Sequence, residues 1–146
     1  VMERPQEILV DVIGLGSGVV DRLAEQNLPV RGVNVAEAPS TKKNYLNLRA
    51  ELWFAIKDWL AQRDCRLPNN DELASELAAP QYKYTSSGKI KIESKDEMRK
   101  RGIKSPDKAD ALALTMASSA ASFGGSQAFM GYNFKKPLKS RIFRVG

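Results

Sequence analysis

The first 35 residues alternate short apolar runs with a glycine-rich turn. An apolar, β-branched run at 8–13 predicts a buried strand that is interrupted by one acid, Asp11. The turn at 14–18 leads into a helix predicted at 19–26, and a second strand is predicted at 30–35. A strand–helix–strand unit of this length predicts two parallel strands joined by a right-handed crossover.

The middle of the chain changes from helical to alternating periodicity. Apolar residues recur at helical spacing over 43–63, which predicts a long amphipathic helix. Asp71 is expected to cap a short helix that ends before Pro80. Period-two alternation at 82–85 and 89–93, around a Ser-Ser-Gly turn, then predicts a β-hairpin.

Two helix starts follow each other closely after the hairpin. Ser94 opens a capping box, and Gly102 is placed to end the short basic helix that the box begins. Ser105 suits the N-cap position of a second helix, and Pro106 suits its first helical position. The alanine-rich segment that follows predicts that this helix runs to Ala121.

Composition narrows the class of protein. A chain of 146 residues, 42% apolar with a mean hydropathy of −0.38, fits one soluble domain with a core. No apolar run approaches the length of a membrane span, and the single cysteine, Cys65, excludes an internal disulfide framework and suits a reducing cytoplasm. The chain has no histidine, which excludes Ser-His-Asp and Cys-His catalysis. Any metal ion would be held by oxygen atoms, which favours Mg²⁺ or Mn²⁺.

Charge is unevenly distributed along the chain. The net charge is +6, yet residues 81–108 hold nine basic residues against four acids, and 123–146 hold five against none. This pattern favours a polyanionic partner, with a merely solvated basic face as the alternative. We expect a folded domain over 1–122 and a basic, flexible tail over 123–146.

Three aspartates are the candidate catalytic residues. Asp107 and Asp110 are three apart and share one helix face. Asp107 has a simpler explanation, since an acid in the first turn stabilises the helix dipole. Asp110 lies among alanines and leucines that predict burial, where a carboxylate needs a proton, a cation or a metal. If Asp11 joins them, the cluster is stable around two divalent cations, which suit phosphodiester hydrolysis.

Lysines near these acids are the candidate DNA contacts. Alternation places two of them on one face of the hairpin, and three more fall on or between the following helices: Lys89, Lys91, Lys95, Lys100 and Lys104. For the last three we expect positive charge in excess of nearby acids, available to a phosphodiester backbone.

A dinucleotide-binding domain is an alternative for the N-terminal unit. Its glycine-rich turn follows a strand and opens a helix, and Glu37 lies about 20 residues further on. Val19 replaces the third small residue of that fingerprint, Asp11 interrupts the strand, and no further βαβ repeats follow. These departures disfavour this interpretation, and no cofactor-binding residue is predicted.

Three segments resemble, in order, motifs of the nuclease domain of bacteriophage terminase large subunits. Residues 8–23 (ILVDVIGLGSGVVDRL) resemble its second acidic motif, 47–53 (NLRAELW) the helix that follows, and 93–112 (ESKDEMRKRGIKSPDKADAL) its last acidic motif. The resemblance implies a partial RNase H-like α/β fold with a parallel βαβ core, a hairpin and flanking helices. It also implies a Mg²⁺- or Mn²⁺-dependent endonuclease that cuts concatemeric viral DNA during genome packaging. Asp11 would be a metal ligand, with Asp107, Asp110 or both supplying the helix carboxylate.

The resemblance carries further expectations about context. It implies double-stranded DNA as substrate, a portal and a small terminase subunit as partners, and the cytoplasm of a bacterial host as location. The packaging ATPase motif and the family's first acidic motif are absent, so we expect a nuclease domain truncated at its N-terminus. Such a fragment would cleave DNA poorly or not at all and would tend to self-associate through an exposed sheet edge. A non-catalytic DNA-binding module of the same fold is the alternative function.

Overall fold

A computed structural model describes residues 5–63 and 65–121, with the side chains of 118–121 excepted. The predicted tail over 123–146 lies outside the described residues. The elements, in chain order, are β1 (Ile8–Asp11), α1 (Gly16–Glu25), β2 (Val30–Val33), α2 (Leu48–Ala61), α3 (Asp71–Ala78), β3 (Tyr82–Tyr84), β4 (Ile90–Ile92), α4 (Lys95–Lys100) and α5 (Asp107–Ala121).

The N-terminal unit is the predicted parallel βαβ motif. β1 pairs with β2 in parallel, with Asp11 opposite Val33, and α1 packs on both strands. Both strands end two residues earlier than predicted, and α1 begins three residues earlier, at Gly16. A Cβ atom at Gly16 would lie 1.7 Å from the carbonyl oxygen of Asp11. The helix therefore begins directly against the strand end, and only glycine permits that approach.

Helix α2 starts five residues later than predicted. The Asn47 side chain accepts a hydrogen bond from the backbone N–H of Ala50 at 3.0 Å and so caps the helix at Leu48. The preceding residues form a turn, in which the N–H groups of Asn44 and Tyr45 donate to the carbonyl of Thr41 at 3.0 and 3.3 Å.

Helix α2 is also more deeply buried than an amphipathic surface helix. Seven of its apolar residues belong to the core: Ala50, Leu52, Trp53, Phe54, Ala55, Ile56 and Trp59. α5 packs along α2 and also contacts α3 and β1. Residues from nearly every face of α2 are buried, so its periodicity is weak, and this helix is the centre of the core.

The predicted hairpin is present and gains a third segment. β3 and β4 pair antiparallel with Tyr82 opposite Ile92. On the other side of β4, the backbone N–H of Ile90 donates to Asn44 at 2.8 Å, and Leu46 donates to the carbonyl of Ile90 at 2.9 Å. The hairpin is thus joined to the turn that precedes α2.

Caps define the remaining helices. Asn70, rather than Asp71, caps α3, because its side chain accepts from the N–H of Leu73 at 2.9 Å. The capping box at Ser94 is present as predicted, and Gly102 follows the end of α4 with a φ of 74°. α5 begins at Asp107, one residue after predicted, since Pro106 precedes its first turn and is fully buried. None of the helices in the described part of the chain is long and apolar enough to cross a membrane.

Candidate metal and nucleic-acid site

Asp11 lies at the carboxyl end of β1. The backbone N–H of Val12 donates to Val33 at 3.1 Å and extends the strand pairing just past the acid. The Asp11 side chain accepts a hydrogen bond from the N–H of Ile13 at 3.0 Å. This contact uses one carboxylate oxygen, Oδ1, and turns the chain away from the sheet towards α1.

Asp107 is the exposed acid of the site. Its side chain is 68% exposed, and the hydroxyl of Ser105 donates to its Oδ1 at 2.7 Å. Lys95 Nζ lies 3.6 Å from the same oxygen. The Ser105 hydrogen bond, followed by the positive charge of Lys95, lowers the pKa of Asp107 below its ordinary value.

Asp110 is the enclosed acid of the site, with a side chain only 20% exposed. Its Oδ1 accepts hydrogen bonds from Arg49 Nη2 at 3.1 Å and from the indole Nε1 of Trp53 at 2.9 Å. Arg49 also donates to the carbonyl of Glu93 at 2.7 Å, and its guanidinium lies 5.6 Å from the centre of the Trp53 ring. Two donors on one face of α2 therefore fix the orientation of this carboxylate.

The second oxygen of Asp110 remains open. Oδ2 is buried and accepts no hydrogen bond from the described residues. Lys95 Nζ lies 3.2 Å from it, an ion pair whose geometry is not that of a hydrogen bond. The Asp110 carboxylate thus has one oxygen that accepts hydrogen bonds and one oxygen whose neighbour is the ammonium group of Lys95.

The start of α5 is held by a second helix. Glu76 Oε2 of α3 accepts hydrogen bonds from the backbone N–H groups of Lys108 at 2.7 Å and Ala109 at 2.9 Å. Glu72, one turn earlier, pairs with Lys108 and lies 3.7 Å from Lys104. These contacts satisfy two N–H groups that a helix start otherwise leaves open, and they fix the turn that carries Asp107 and Asp110.

All three candidate aspartates line one pocket of about 540 Å³. Arg49, Lys95 and Ser94 complete its polar side. The opposite wall is mostly apolar and includes Ile13, Val35, Leu52, Trp53 and Leu114. Residues from β1 and α5, about 100 positions apart in sequence, therefore share one cleft, and their role in metal binding stays a prediction.

The chemistry of the site fits a hard cation, although no complete ligand cage is formed. Among residues 5–63 and 65–121, no group of three or more Asp, Glu, Cys or His side chains is arranged to hold a metal ion. The pocket nonetheless offers carboxylate oxygens, the donors that Mg²⁺ and Mn²⁺ prefer, and Asp110 Oδ2 lacks a hydrogen-bond donor. The residues present therefore suit such an ion, with Asp11 and Asp110 as the candidate ligands and Asp107 at the exposed side.

Some of the predicted DNA-binding lysines are paired with acids, contrary to the expected surplus of positive charge. Lys95 pairs with Asp107 and Asp110, and Lys104 lies near Glu72, so that expectation is wrong for both. Lys91 lies 3.3 Å from Glu97. Lys89 and Lys100 form no ion pair with any acid in the described part of the chain. A DNA-binding role for these five lysines stays a prediction.

Glu97 is the acid that the hairpin lysines share. Its carboxylate accepts from the backbone N–H of Ser94 at 2.8 Å and from Lys83 at 3.2 Å. The Ser94 hydrogen bonds, followed by those from Lys83 and Lys91, lower the pKa of Glu97 to about 2. α4 and the hairpin are therefore joined through one strongly acidic side chain.

Sequence reasoning missed Arg49, Trp53 and Glu76 as site residues. Trp53 is a buried core residue whose indole N–H also donates to Asp110. The available signal was the spacing of Arg49 and Trp53, since two donors four residues apart share one helix face. The role of Glu76 could not be predicted from the sequence, because its hydrogen-bond partners lie more than 30 residues away.

The fold is that of a terminase nuclease domain, an RNase H-like α/β fold, which confirms the predicted fold class. It differs from the dinucleotide-binding fold, so that interpretation of the N-terminal unit is wrong. No family model matches the chain, and no curated protein sequence matches it.

The solved structures that it resembles include nuclease domains from bacterial virus Sf6. A mutant nuclease domain of the large terminase subunit of that virus, with manganese and β-thujaplicinol, aligns with a TM-score of 0.64 at 22% identity, covering 74% of this chain and 63% of that one. The mutant domain with manganese alone aligns with a TM-score of 0.63 at 22% identity, covering 74% of this chain and 64% of that one. The nuclease domain without the mutation aligns with a TM-score of 0.62 at 23% identity, covering 74% of this chain and 63% of that one. The chain thus spans less than two thirds of these domains.

Proposed function

We propose that this chain is the carboxylate-bearing part of a divalent-cation-dependent endonuclease that acts on double-stranded DNA. The observation that carries the proposal is the shared pocket of Asp11, Asp107 and Asp110, which two elements distant in sequence form together. The Sf6 nuclease domain, whose fold this chain shares, has been solved with manganese.

In this proposal Asp11 and Asp110 would hold a divalent cation, and Asp107 would assist at the exposed side of the pocket. Bound Mg²⁺ or Mn²⁺ supplies Lewis-acid chemistry at a phosphodiester group. Arg49 and Trp53 keep Asp110 Oδ1 occupied, so that Oδ2 is the oxygen presented to the pocket. The protein side of the mechanism is thus the orientation of one enclosed carboxylate.

Lys95 has a second role in this proposal. Its ammonium group lies between Asp107 and Asp110 and offsets their mutual repulsion while the pocket holds no cation. If Asp107 and Asp110 were to hold a cation, the Lys95 ammonium group would be available to contact a DNA phosphate. Lys89, Lys91, Lys100 and Lys104 extend that contact along the phosphate backbone.

The biological setting is part of the same proposal. A nuclease of the terminase type would cut concatemeric phage DNA during packaging, in the cytoplasm of a bacterial host. A portal and a small terminase subunit would be its partners. The shared fold supports this setting, and no residue described here carries a portal contact.

The experiment is plasmid cleavage by the 146-residue chain. We expect at most weak nicking with Mn²⁺, none with EDTA, and no detectable nicking in Asp110→Asn. Asp96→Asn is the matched control, because it removes an equal charge from an exposed acid that pairs with Arg99 outside the pocket. Equal cleavage by both variants would contradict the assignment of Asp110.

A non-catalytic DNA-binding module is the second candidate. The ion pairs of Asp110 with Arg49 and Lys95 favour it, because they neutralise the acid without a metal. Isothermal titration with Mn²⁺ separates the two functions. The nuclease requires saturable binding that Asp110→Asn weakens, whereas the module binds DNA without any effect of the metal.

A further inference from the structure

Glu51 is a buried acid for which the proposed nuclease has no use. It lies on α2 and is only 1% exposed. Its carboxylate accepts hydrogen bonds from the backbone N–H of Ser40 at 2.8 Å, the hydroxyl of Ser40 at 2.5 Å and the backbone N–H of Thr41 at 2.9 Å. All three donors belong to the loop before α2. A buried carboxylate is costly, and here it is stabilised entirely by anchoring that loop.

The anchored loop continues into a turn that presents two lysines. We call residues 41–45 the lysine turn: the N–H groups of Asn44 and Tyr45 close it by donating to Thr41, and Lys42 and Lys43 occupy its exposed centre. Neither lysine forms an ion pair with a described acid. Their two charges are therefore not offset by an ion pair, and the Glu51 anchor fixes the backbone at the start of the turn that carries them.

The lysine turn lies beside the hairpin. The Asn44 carbonyl accepts a hydrogen bond from the backbone N–H of Ile90 at 2.8 Å, which places the turn next to the start of β4, where Lys89 is the preceding residue. Lys89 is likewise without an ion pair among the described residues. Two backbone segments that are far apart in sequence, and that together carry three unpaired lysines, therefore lie side by side at one edge of the hairpin.

We infer that Lys42, Lys43 and Lys89 form a binding site for the phosphate backbone of DNA, which Glu51 holds in place. Clustered lysines without acidic partners bind phosphates through counterion release, independently of base sequence. A fixed turn loses less conformational freedom on binding than a free loop. The inference rests on DNA as the partner in the proposed function, and it adds a contact surface that cleavage chemistry does not require.

The first test is the salt dependence of binding. A fluorescent DNA duplex is titrated with the 146-residue chain in EDTA at several salt concentrations. In Lys42→Ala/Lys43→Ala we expect the slope of log K against log salt to become shallower by about two and the affinity at low salt to fall by roughly ten- to a hundredfold. Arg22→Ala/Arg66→Ala is the control of equal charge change, because it removes two exposed positive charges that belong neither to the lysine turn nor to the hairpin, one of them paired with Glu25. Equal slopes for the two double variants would overturn the inference.

The second test uses the anchor alone. Glu51→Gln keeps both lysines and raises the net charge by one, so charge alone predicts tighter binding. We expect affinity to fall several-fold instead, because the lysine turn loses its fixed position. An increase in affinity would overturn the role of the anchor. Circular dichroism of every variant checks that the fold is retained.

The test of the phosphate site can fail or succeed independently of the test of the nuclease. Cleavage is measured with Mn²⁺, whereas these binding measurements contain no divalent cation. A slope that changes as expected in a chain that shows no saturable Mn²⁺ binding dependent on Asp110 would support the phosphate site and contradict the nuclease. Cleavage of DNA with Mn²⁺, combined with an unchanged salt slope in the lysine variant, would support the nuclease and contradict the phosphate site.

Discussion

Trp53 combines two properties that a sequence pattern treats as alternatives. Its ring belongs to the buried core, with 7% of the residue exposed. Its indole N–H nevertheless reaches the edge of the core and donates to Asp110. A single side chain thus connects the packing of α2 to the orientation of a candidate metal ligand.

Replacing Trp53 by Phe tests this connection. Trp53→Phe keeps an aromatic ring but removes the donor, so the free energy of unfolding should fall by about 2 kcal/mol through loss of a hydrogen bond to a charged group. Cleavage should fall as well, because Asp110 is no longer held. Urea denaturation and plasmid nicking measure the two effects. Trp59→Phe is the control: it changes a buried tryptophan without an acid partner, and should leave cleavage unaltered.

Gly16 is a second residue whose substitution is expected to lower the stability of the protein strongly. Gly16→Ala places a methyl group on the Asp11 carbonyl, 1.7 Å away, and neither backbone segment can yield without moving the strand end. We expect a loss of about 3 kcal/mol in stability, measured by urea denaturation. Gly18→Ala is the matched control within the same helix. It meets no atom within 4 Å and should stabilise the protein by about 0.5 kcal/mol. Similar values for the two variants would contradict the close approach.

Helix α4 and the hairpin are the elements whose association depends on an ionised side chain. Glu97 closes the capping box of α4 and also receives the ammonium groups of Lys83 and Lys91. These contacts require the carboxylate to be charged. They lower its pKa from 4.5 to about 2. The association should therefore respond to acid.

The pH dependence follows from the direction of that shift. A carboxyl group with a lowered pKa in the folded state contributes stability that is present above the unfolded value of 4.5 and is lost as pH falls towards about 2. We expect the urea midpoint to decrease over this window, and less so in Glu97→Gln. Because the Ser94 contacts are the largest cause, Lys83→Ala/Lys91→Ala should retain most of the effect. An identical pH profile in Glu97→Gln would contradict this account.

The boundaries of the helices and strands show which features local sequence rules predict and which they do not. The capping box at Ser94 and the hairpin were predictable, because their hydrogen bonds connect residues near in sequence. The start of α2 was not predictable, because the helical spacing of apolar residues extends back to Tyr45. The helix nevertheless begins at Leu48, where Asn47 caps it after the loop anchored on Glu51. The α3 cap was misplaced by one residue because Asn70 and Asp71 are both good caps, and only the backbone conformation distinguishes them.

At the scale of the molecule, the sheet pairing leaves an edge for other chains. Among the described strands, β1 pairs only with β2, and β3 pairs only with β4, whose other side meets the segment around Tyr45. Open strand edges favour pairing with a second molecule. We expect the mean mass in sedimentation equilibrium to rise with concentration and to persist at high salt, because backbone hydrogen bonds are screened little. A monomer at all concentrations would contradict this prediction.

The candidate site was partly predictable because its acids interrupt apolar patterns. Asp11 within a strand and Asp110 within an alanine-rich helix both conflict with their surroundings, and conflicts of this kind mark functional positions. The partners of Asp110 were not predictable. Arg49 and Lys95 come from two other elements, and their approach depends on how α2 and α4 pack on α5.

The contact of Glu76 with the first turn of α5 has a consequence for the order of folding. Two N–H groups of that turn have their acceptor in another helix, 32 and 33 residues earlier in the chain. The turn carrying Asp107 and Asp110 can therefore become stable only after α3 has docked, so the acidic pocket should form late on the folding pathway. Glu76→Gln should then accelerate unfolding and leave the refolding rate almost unchanged in stopped-flow measurements. A nascent chain would accordingly gain its acidic pocket only when the rest of the domain is in place.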